Sequence, residues 1–237
     1  MSRRYAVIGA GSRGLNMFAR PLLRDLADCT DLVGLCDLNP LRLASAAREL
    51  APLMSAELPT FVSLTEMLAT VRPDALVVAT VDRTHAELAV QAMHAGCDVI
   101  LEKPMATTAE GVLAILRAER ETGRQVKVSF NARYGAAAET IARLLRQGAI
   151  GRVLSAEFVE YLDTSHGADY FRRWHRRKEN SGGLLVHKAS HHFDQLNWWL
   201  SDDPVRVYAD GGLRFYGPTR LERGERCRTC AYYGECP

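Results

Sequence analysis

Short apolar runs alternate with helical segments through the first half of this chain. The runs that indicate strands are 5–8, 32–36, 60–62, 75–79, 99–101 and 126–130. The helical segments between them are 13–27, 40–50, 64–71, 84–95 and 107–122. Strands rich in valine, isoleucine and leucine that alternate with helices are typical of a parallel sheet buried on both faces. The first half therefore predicts an α/β fold with a doubly wound parallel sheet, in which Gly96 and Gly123 end helices and Thr107 or Thr108 begins one.

The pattern changes after residue 130 and predicts a second domain. A helix is predicted at 135–146 and an alternating strand at 153–162. A loop rich in arginine and tryptophan follows at 166–180, then a helix at 190–200 and a strand at 205–215. This mixture predicts an α+β domain built on an open sheet, and it places the two domains at 1–128 and 129–237. Two long strands are too few for a sheet with its own core, so we expect this domain to be truncated and the protein to continue beyond Pro237.

The loop after the first strand has the spacing of a dinucleotide-binding loop, Gly9-x-Gly11-x-x-Gly14. Gly9 permits a tight turn from strand to helix, Gly11 lets a pyrophosphate approach the backbone, and Gly14 lets the helix pack closely. The N–H groups and the positive end of the following helix suit phosphates, and we place Ser12 and Arg13 in the same site.

The second strand ends in an acidic residue, Asp37. A carboxylate about 20 positions beyond the glycine loop accepts hydrogen bonds from the adenosine ribose and repels a 2′-phosphate, which favours NAD over NADP. Arg13 and Arg42 keep NADP as the alternative. Loop and acid together predict a Rossmann dinucleotide-binding domain, and a tight turn without a ligand is the weaker interpretation.

Composition and charge exclude several classes of protein. The chain has 237 residues, of which 47% are hydrophobic and 24% charged, which suits one or two globular domains with a sizeable core. A formal net charge of +2 gives no reason to expect nucleic acid or an anionic membrane as a partner. No apolar run approaches the length of a membrane span, and no signal-peptide pattern follows the first arginines, so we expect a cytoplasmic enzyme.

Chemically active side chains follow the later strands, at the edge where ligands lie in a doubly wound sheet. Thr80 and His85 follow the fourth strand, and Glu102-Lys103-Pro104 ends the fifth. We assign Thr80, His85, Glu102 and Lys103 to contact with the cofactor. A glycine pair at 182–183 leads into a segment rich in histidine. The candidate residues of that segment are His187, Lys188 and His191.

The glycine loop, the Glu-Lys-Pro at 102–104 and the Gly-Gly…His-x-x-Asp pattern at 182–194 resemble, in order and spacing, the Gfo/Idh/MocA family of nicotinamide-dependent oxidoreductases. The resemblance covers residues 5 to about 215. It implies that Lys103 points at the reacting hydroxyl and the nicotinamide, that Glu102 orients this neighbourhood, and that His191 is catalytic or orients the substrate. The family often has an aspartate where this chain has His187, which leaves open which residue deprotonates the alcohol. The resemblance also implies a homodimer or homotetramer that pairs through the open sheet.

Oxidation of an alcohol needs a hydride acceptor and a base for the hydroxyl proton. Lys103 can be that base if burial and nearby cations lower its pKa, and Lys188, His187 and His191 are its expected neighbours. The predicted function is hydride transfer between NAD(P) and a hydroxyl of a sugar, polyol or sugar derivative. Two alternatives stay open: a redox-neutral, NAD-dependent enzyme that cleaves glycosides or epimerises sugars, and a non-catalytic dinucleotide-binding sensor.

Cations and aromatic side chains of the second half are candidate substrate contacts. The loop 170–178 is rich in arginine and contains Trp174, which predicts either a solvated loop or a lid over an anionic substrate. Arg133 and Tyr134 follow the sixth strand and are assigned to substrate or nicotinamide contact. Lys188 is assigned to the site as a second cation.

Three cysteines near the end of the sequence, Cys227-x-x-Cys230-x5-Cys236, have a spacing seen in metal sites. Structural zinc takes four ligands, and this cluster supplies three thiols. The cluster therefore predicts either a zinc site completed by a fourth ligand from elsewhere or three thiols without a metal.

Overall fold

The computed structural model describes residues 2–213, 216 and 224–235. Its centre is a six-stranded sheet in which all neighbouring strands are parallel. The strands are β1 (Arg3–Ile8), β2 (Thr30–Cys36), β3 (Thr60–Phe61), β4 (Ala75–Val78), β5 (Asp98–Glu102) and β6 (Val126–Ser129). Their order is β3-β2-β1-β4-β5-β6, which confirms the predicted doubly wound sheet. The order reverses between β1 and β4, and ligands of such sheets bind outside the carboxyl ends of the strands at this place.

Helices connect the strands and continue through the second half. Those of the first half are Ser12–Gly14, Arg20–Arg24, Pro40–Leu50, Leu64–Val71, His85–His94 and Ala109–Thr122. Those that follow β6 are Ala136–Arg146, Thr164–Gly167, Asp169–Arg172, Lys178–Ser181, Leu184–His187 and Ser190–Leu200. Over the described ranges, no helix is long and apolar enough to cross a membrane.

The sheet is covered by apolar side chains on both faces. Successive side chains of a strand point to opposite faces, so two neighbouring residues of β1 lie in different clusters. Val7 belongs to an apolar cluster with Leu22 and Leu50 from the first two helical connections. Its neighbour Ile8 belongs to a second cluster with Met67, on the other face. Packing from both sides fixes the carboxyl ends of the strands, where the candidate residues lie.

Helix ends follow local sequence signals, with one exception in the first helix. Thr108 accepts a hydrogen bond from the backbone N–H of Gly111 (3.1 Å) and begins a helix that ends at Gly123, where φ is +66°. The first helical stretch covers 12–24 rather than 13–27 and contains a π turn at Leu15–Ala19. Pro21 explains the irregularity, because proline has no N–H to donate and crowds the carbonyl four residues earlier.

The strands predicted at 153–162 and 205–215 are wrong within the described residues. Neither 153–162 nor 205–213 is a strand, and residues 214 and 215 lie outside the described part of the chain. A strand is stable only when a neighbour takes up its backbone hydrogen bonds, and neither segment has such a neighbour among the described residues. Apolar side chains of both segments are therefore exposed, including Leu154 (87%) and Val207 (74%).

Candidate functional site

The loop between β1 and the first helix has the form that a dinucleotide requires. Gly9 has a φ of +102°, and a Cβ there would lie 2.3 Å from the backbone oxygen of Ala79. A Cβ on Gly14 would lie 2.0 Å from the carbonyl oxygen of Gly9, so the helix packs directly on the loop. A Cβ on Gly11 would meet nothing within 4 Å. The space over Gly11 is therefore open to a ligand, while the other two glycines are required by the fold.

Asp37 lies at the end of β2 and is buried. Its carboxylate accepts hydrogen bonds from the backbone N–H groups of Ala10 (3.0 Å) and Asn39 (2.9 Å). Nη1 of the half-exposed Arg42 lies 3.4 Å from Asp37 Oδ2. The contact with Ala10 fixes the carboxylate beside the glycine loop, which is the position that a ribose-binding acid occupies in this fold.

Arg13 of the glycine loop is paired with Glu102 at the end of β5. Arg13 Nε donates to Glu102 Oε1 at 2.8 Å, and Nη2 donates to Oε2 at 3.3 Å. Glu102 is only 6% exposed, so this guanidinium compensates a buried carboxylate. Ser12 accepts a hydrogen bond from Asn16 Nδ2 (3.1 Å) within the same helix. The ion pair joins the loop to the strand that leads into Lys103.

Lys103 follows β5, and its amine lies in the interior of the candidate site. Nζ donates a hydrogen bond to the backbone oxygen of His187 at 2.8 Å. Burial lowers the pKa of the Lys103 amine below its usual range, while the charges of Asp82 and Glu102 oppose that shift and Arg13 adds to it. A lowered pKa increases the fraction of neutral amine, which is the form that can accept a proton.

A buried carboxylate–imidazole pair links the end of β4 to the second half of the chain. Oδ2 of Asp82 lies 2.5 Å from Nδ1 of His187, and the two side chains are 3% and 10% exposed. The rings of Tyr170, Trp174 and His175 surround the imidazole, with centroids 5.4, 5.4 and 4.6 Å away. Asp82 was not predicted as a site residue, although an acidic residue just after a buried strand was a usable signal. Trp174 packs on this pair.

His191 has a buried Nδ1 with no hydrogen-bond partner among the described residues. The ring of Phe130 packs edge-on against it, 6.1 Å between centroids. Burial lowers the pKa of His191 to about 4, and the charges of Lys103, Lys188 and Arg13 contribute to the shift. The imidazole is therefore neutral at pH 7. Buried polar atoms are nearly always satisfied, so an unpartnered buried nitrogen is unusual and distinguishes His191 from most of the described residues.

Lys188 is held by a carboxylate that was not predicted from the sequence. Its Nζ lies 3.2 Å from Oε1 of Glu160, and His192 contacts the other carboxylate oxygen. Burial would raise the pKa of Glu160, but hydrogen bonds and charges from Lys188 and His192 bring it below its usual range. Glu160 lies in the segment 153–162, which was expected to be a strand. A polar residue fits the alternation of polar and apolar positions in such a strand, so nothing in the sequence marked Glu160 as a site residue.

Arg133 and Tyr134 have different surroundings. The guanidinium of Arg133 makes two hydrogen bonds to the carboxylate of Asp194, Nε to Oδ2 at 2.7 Å and Nη2 to Oδ1 at 2.5 Å. Because Asp194 lies on the helix of His191, the ion pair attaches that helix to the turn after β6. Tyr134 is 77% exposed. The structure thus brings Arg133 into the support of the site and leaves Tyr134 at the surface.

Thr80 and His85 connect the two turns that follow β4 and β5. His85 is fully buried, with Nδ1 2.8 Å from the backbone oxygen of Pro104 and Nε2 3.4 Å from that of Thr80. The hydroxyl of Thr80 shares a hydrogen bond with that of Thr84 (2.7 Å). His85 therefore holds the turn that contains Lys103 in place.

The cysteine cluster gives no support to a zinc site. Within the described ranges, no group of three or more histidine, cysteine, aspartate or glutamate side chains has an arrangement that could hold a metal. Cys227 is exposed, and the thiol of Cys230 accepts a hydrogen bond from the backbone N–H of Gly224 at 3.4 Å. Cys236 lies outside the described residues.

The low pKa of His191 makes a contribution to stability that depends on pH. In the unfolded chain the imidazole takes up a proton as the pH falls through about 6.5, whereas in the folded protein it does so only near pH 4. Folding is therefore destabilised as the pH falls from 6.5 towards 4. We expect the wild type to lose more thermal stability between pH 7.5 and pH 5.0 than His191→Gln, which has no titrating group there. Equal losses in the two melting curves would show that His191 is not a buried neutral imidazole.

Two family models match this chain. The model described as "Oxidoreductase family, NAD-binding Rossmann fold" matches residues 3–130, which contain the sheet and the glycine loop. The model described as "Oxidoreductase family, C-terminal alpha/beta domain" matches residues 142–231. The second match assigns the region after β6 to an α/β domain.

Curated relatives and solved structures agree with these matches. YteT of Bacillus subtilis is 39% identical over 96% of this chain and 55% of its own length. Inositol 2-dehydrogenase of Rhizobium meliloti is 29% identical over 90% of this chain and 59% of its own length. The structure of the WlbA dehydrogenase from Bordetella pertussis in complex with NADH and UDP-GlcNAcA has a TM-score of 0.70 and 30% identity, over 84% of this chain and 55% of that one.

The chain thus spans slightly more than half the length of these relatives. The match to the NAD-binding model alone covers more than half of its residues, and it coincides with the doubly wound sheet described above. The chain belongs to the Gfo/Idh/MocA family of oxidoreductases, with an N-terminal NAD-binding Rossmann fold followed by the family's C-terminal α/β region.

Proposed function

We propose that this chain belongs to a cytoplasmic NAD-dependent dehydrogenase that transfers hydride between the nicotinamide and a hydroxyl group of a sugar, polyol or sugar derivative. The observation that carries the proposal is that Lys103, a buried amine of lowered pKa, lies close enough to His191 for its charge to help lower the pKa of that neutral imidazole. An amine that can accept a proton, with a neutral imidazole close by, suits the removal of a hydroxyl proton.

The residues around the glycine loop fit a dinucleotide. The space over Gly11 is open, which suits the approach of a pyrophosphate to the backbone, and Gly9 and Gly14 make contacts that leave no room for a side chain. Asp37 is fixed beside the loop with a carboxylate that suits ribose hydroxyls. When bound, NAD⁺ supplies the acceptor for the hydride of the alcohol carbon.

In the proposed reaction Lys103 acts as the general base. Its neutral amine takes the hydroxyl proton, while one of its N–H groups stays bound to the backbone oxygen of His187. His191 orients the hydroxyl as a neutral imidazole, since its pKa is lowered to about 4. Lys188, held by Glu160, contributes positive charge that stabilises a developing alkoxide.

Sugars and polyols are the proposed substrate class because of the relatives. They include an inositol 2-dehydrogenase, and a solved relative was crystallised with a UDP-linked sugar. We propose that residues 1–128 bind the dinucleotide and that 129–237 contribute to substrate binding, in a homodimer or homotetramer. Trp174 and Arg133 are proposed to shape the substrate side by supporting His187 and the helix of His191.

Formation of NADH tests the proposal. Purified protein is mixed with NAD⁺ and a panel of inositols, hexoses and uronic acids, and the absorbance of NADH is followed with product analysis. The proposal predicts NADH formed in equal amount to oxidised product. Conversion of a sugar without net NADH would identify the redox-neutral alternative. Binding of NADH with no conversion of any compound would favour a sensor.

Asp37 is expected to set the preference for NAD. Asp37→Ser removes the charge that repels a 2′-phosphate, while the exposed Arg42 remains to bind it. The ratio of NADPH to NADH dissociation constants should fall by about tenfold, equivalent to about 1.4 kcal/mol. NADH and NADPH fluorescence titrations measure it. Asp31→Ser, an equal change at the opposite end of β2, is the control and should leave the ratio unchanged.

A further inference from the structure

A continuous set of contacts runs from the end of β4 to the amine of Lys103. Asp82 contacts the imidazole of His187, and the backbone oxygen of the same histidine accepts the hydrogen bond from Lys103. We infer that Asp82 is a positioning residue for the catalytic base: it holds His187, and through His187 it fixes the Lys103 amine. The inference rests on the proposed function of Lys103.

Among the described residues, the imidazole of His187 is the side chain that hydrogen-bonds to the buried carboxylate of Asp82. Asp82 begins the 3-10 turn Asp82–Thr84 directly after β4, and its side chain is 3% exposed. A carboxylate removed from water is costly unless a donor compensates it, and the Nδ1 of His187 at 2.5 Å is that donor. The carboxylate also fixes the proton of the imidazole on Nδ1. Both partners thus determine each other's orientation.

The imidazole of His187 has little freedom once this contact is made. Tyr170, Trp174 and His175 pack around the ring, so its position determines the position of the backbone at residue 187. The backbone oxygen lies 2.8 Å from Lys103 Nζ. His187 thus contacts Asp82 through its side chain and Lys103 through its main chain. The position of Asp82 is thereby coupled to the position of the amine.

The charge of Asp82 acts on the same amine. The ionisable groups around Lys103 are Asp82 and Glu102, which favour its protonated form, and the cations Arg13 and Lys188, which disfavour it; His191 is close by and neutral. Among the described residues, the ionisable groups in contact with His187 include Lys103, Asp82, His175 and Tyr170. Burial and the two cations lower the pKa of Lys103, and the charge of Asp82 opposes them. Removal of that charge should therefore lower the pKa of Lys103 further.

Competitive acetylation of the lysine amines tests the inference without any substrate. The chain contains four lysines, Lys103, Lys127, Lys178 and Lys188, which peptide mass spectrometry distinguishes. Acetic anhydride labelling at a series of pH values gives the titration midpoint and the limiting rate for each, with the exposed Lys127 as internal reference. In Asp82→Asn we expect the midpoint of Lys103 to fall by about one pH unit, with that of Lys127 unchanged.

Asp98→Asn is the matched control. It makes the same change of charge at the opposite end of β5, where Asp98 pairs with Arg3, and it should leave the midpoint of Lys103 unchanged. An unchanged midpoint in a folded Asp82→Asn protein would overturn the inference, as would an equal shift in Asp98→Asn.

Two substitutions of His187 test the route and serve also if Asp82→Asn does not fold. His187→Asn keeps an N–H donor for Asp82 and should keep the limiting labelling rate of Lys103 near that of the wild type. His187→Leu removes the donor and should raise that rate several-fold, because the backbone oxygen no longer holds the amine. Equal rates in the two variants would exclude transmission through His187. Failure of the proposed function has a different signature, which is undiminished turnover after loss of the Lys103 amine.

Discussion

Replacing Lys103 with methionine is expected to lower the turnover number by about 10²- to 10⁴-fold, the usual contribution of a general base. Methionine keeps the length and much of the packing of the lysine side chain but has no group that can accept a proton. NADH affinity should change less than turnover, because the turn that suits the pyrophosphate is formed by Gly9 and Gly14 after β1. Steady-state kinetics with the substrate found in the panel and a parallel NADH titration measure both quantities.

Lys127→Met is the control for this substitution. Lys127 lies on β6 and is exposed. Its partner in the sheet is Ile100, in the middle of β5. Its replacement should leave turnover within about twofold of the wild type. Turnover in Lys103→Met close to that of the control would assign the proton transfer to another group, and His187 and His191 would be the next to test.

Substitutions in the glycine loop should separate folding from ligand binding. Gly14→Ala places a Cβ 2.0 Å from the oxygen of Gly9, so the helix must move away from the loop. We expect a loss of about 1–3 kcal/mol in the free energy of unfolding, as for other overpacked sites, together with a large loss of NADH affinity. Gly11→Ala meets no protein atom within 4 Å and should leave stability unchanged, yet weaken NADH binding by tenfold or more.

Urea unfolding and NADH titration of the two variants measure these effects. Gly123→Ala, a substitution at a positive φ where the helix Ala109–Thr122 ends, controls for loss of a glycine with no ligand role. It should lower stability and leave NADH affinity unchanged. Unweakened NADH binding in Gly11→Ala would mean that the pyrophosphate does not pass over that residue.

The sheet was predictable because its central strands are buried and a helical segment separates each pair of successive strands. Valine-rich runs such as β4, buried at all four positions, have no other stable arrangement than the centre of a covered parallel sheet. The helix at Ala109–Thr122 was equally clear, since Thr108 and Gly123 mark its ends. Local patterns and the fold agree in this half of the chain.

The strands expected at 153–162 and 205–215 were not predictable in the same way. Alternation shows which residues of a segment suit a half-buried strand, but the strand forms only when another segment supplies hydrogen bonds along its edge. Phe158 illustrates the difference: its ring stacks on Trp199 and lies against His192, so side-chain packing rather than backbone pairing places this segment.

The candidate site was predictable where a residue belongs to a motif and not where it acts as a partner. Lys103 and His191 carry signals in the sequence, and the structure places both near the same cations. Asp82 has only its place after a buried strand as a signal and Glu160 has none, so the partners of both become evident only once His187 and Lys188 are brought against them. Contacts between residues far apart in the chain depend on the fold, which spacing alone does not describe.

A calorimetric titration of the purified chain with NADH and NADPH in parallel tests the central claim most directly. The glycine loop and the position of Asp37 predict saturable binding of NADH to one site per chain, with weaker binding of NADPH. Stronger binding of NADPH would contradict the role assigned to Asp37. It would indicate that Arg42 sets the preference by binding the 2′-phosphate. Binding of neither nucleotide would contradict the claim that this chain is the dinucleotide-binding part of an oxidoreductase.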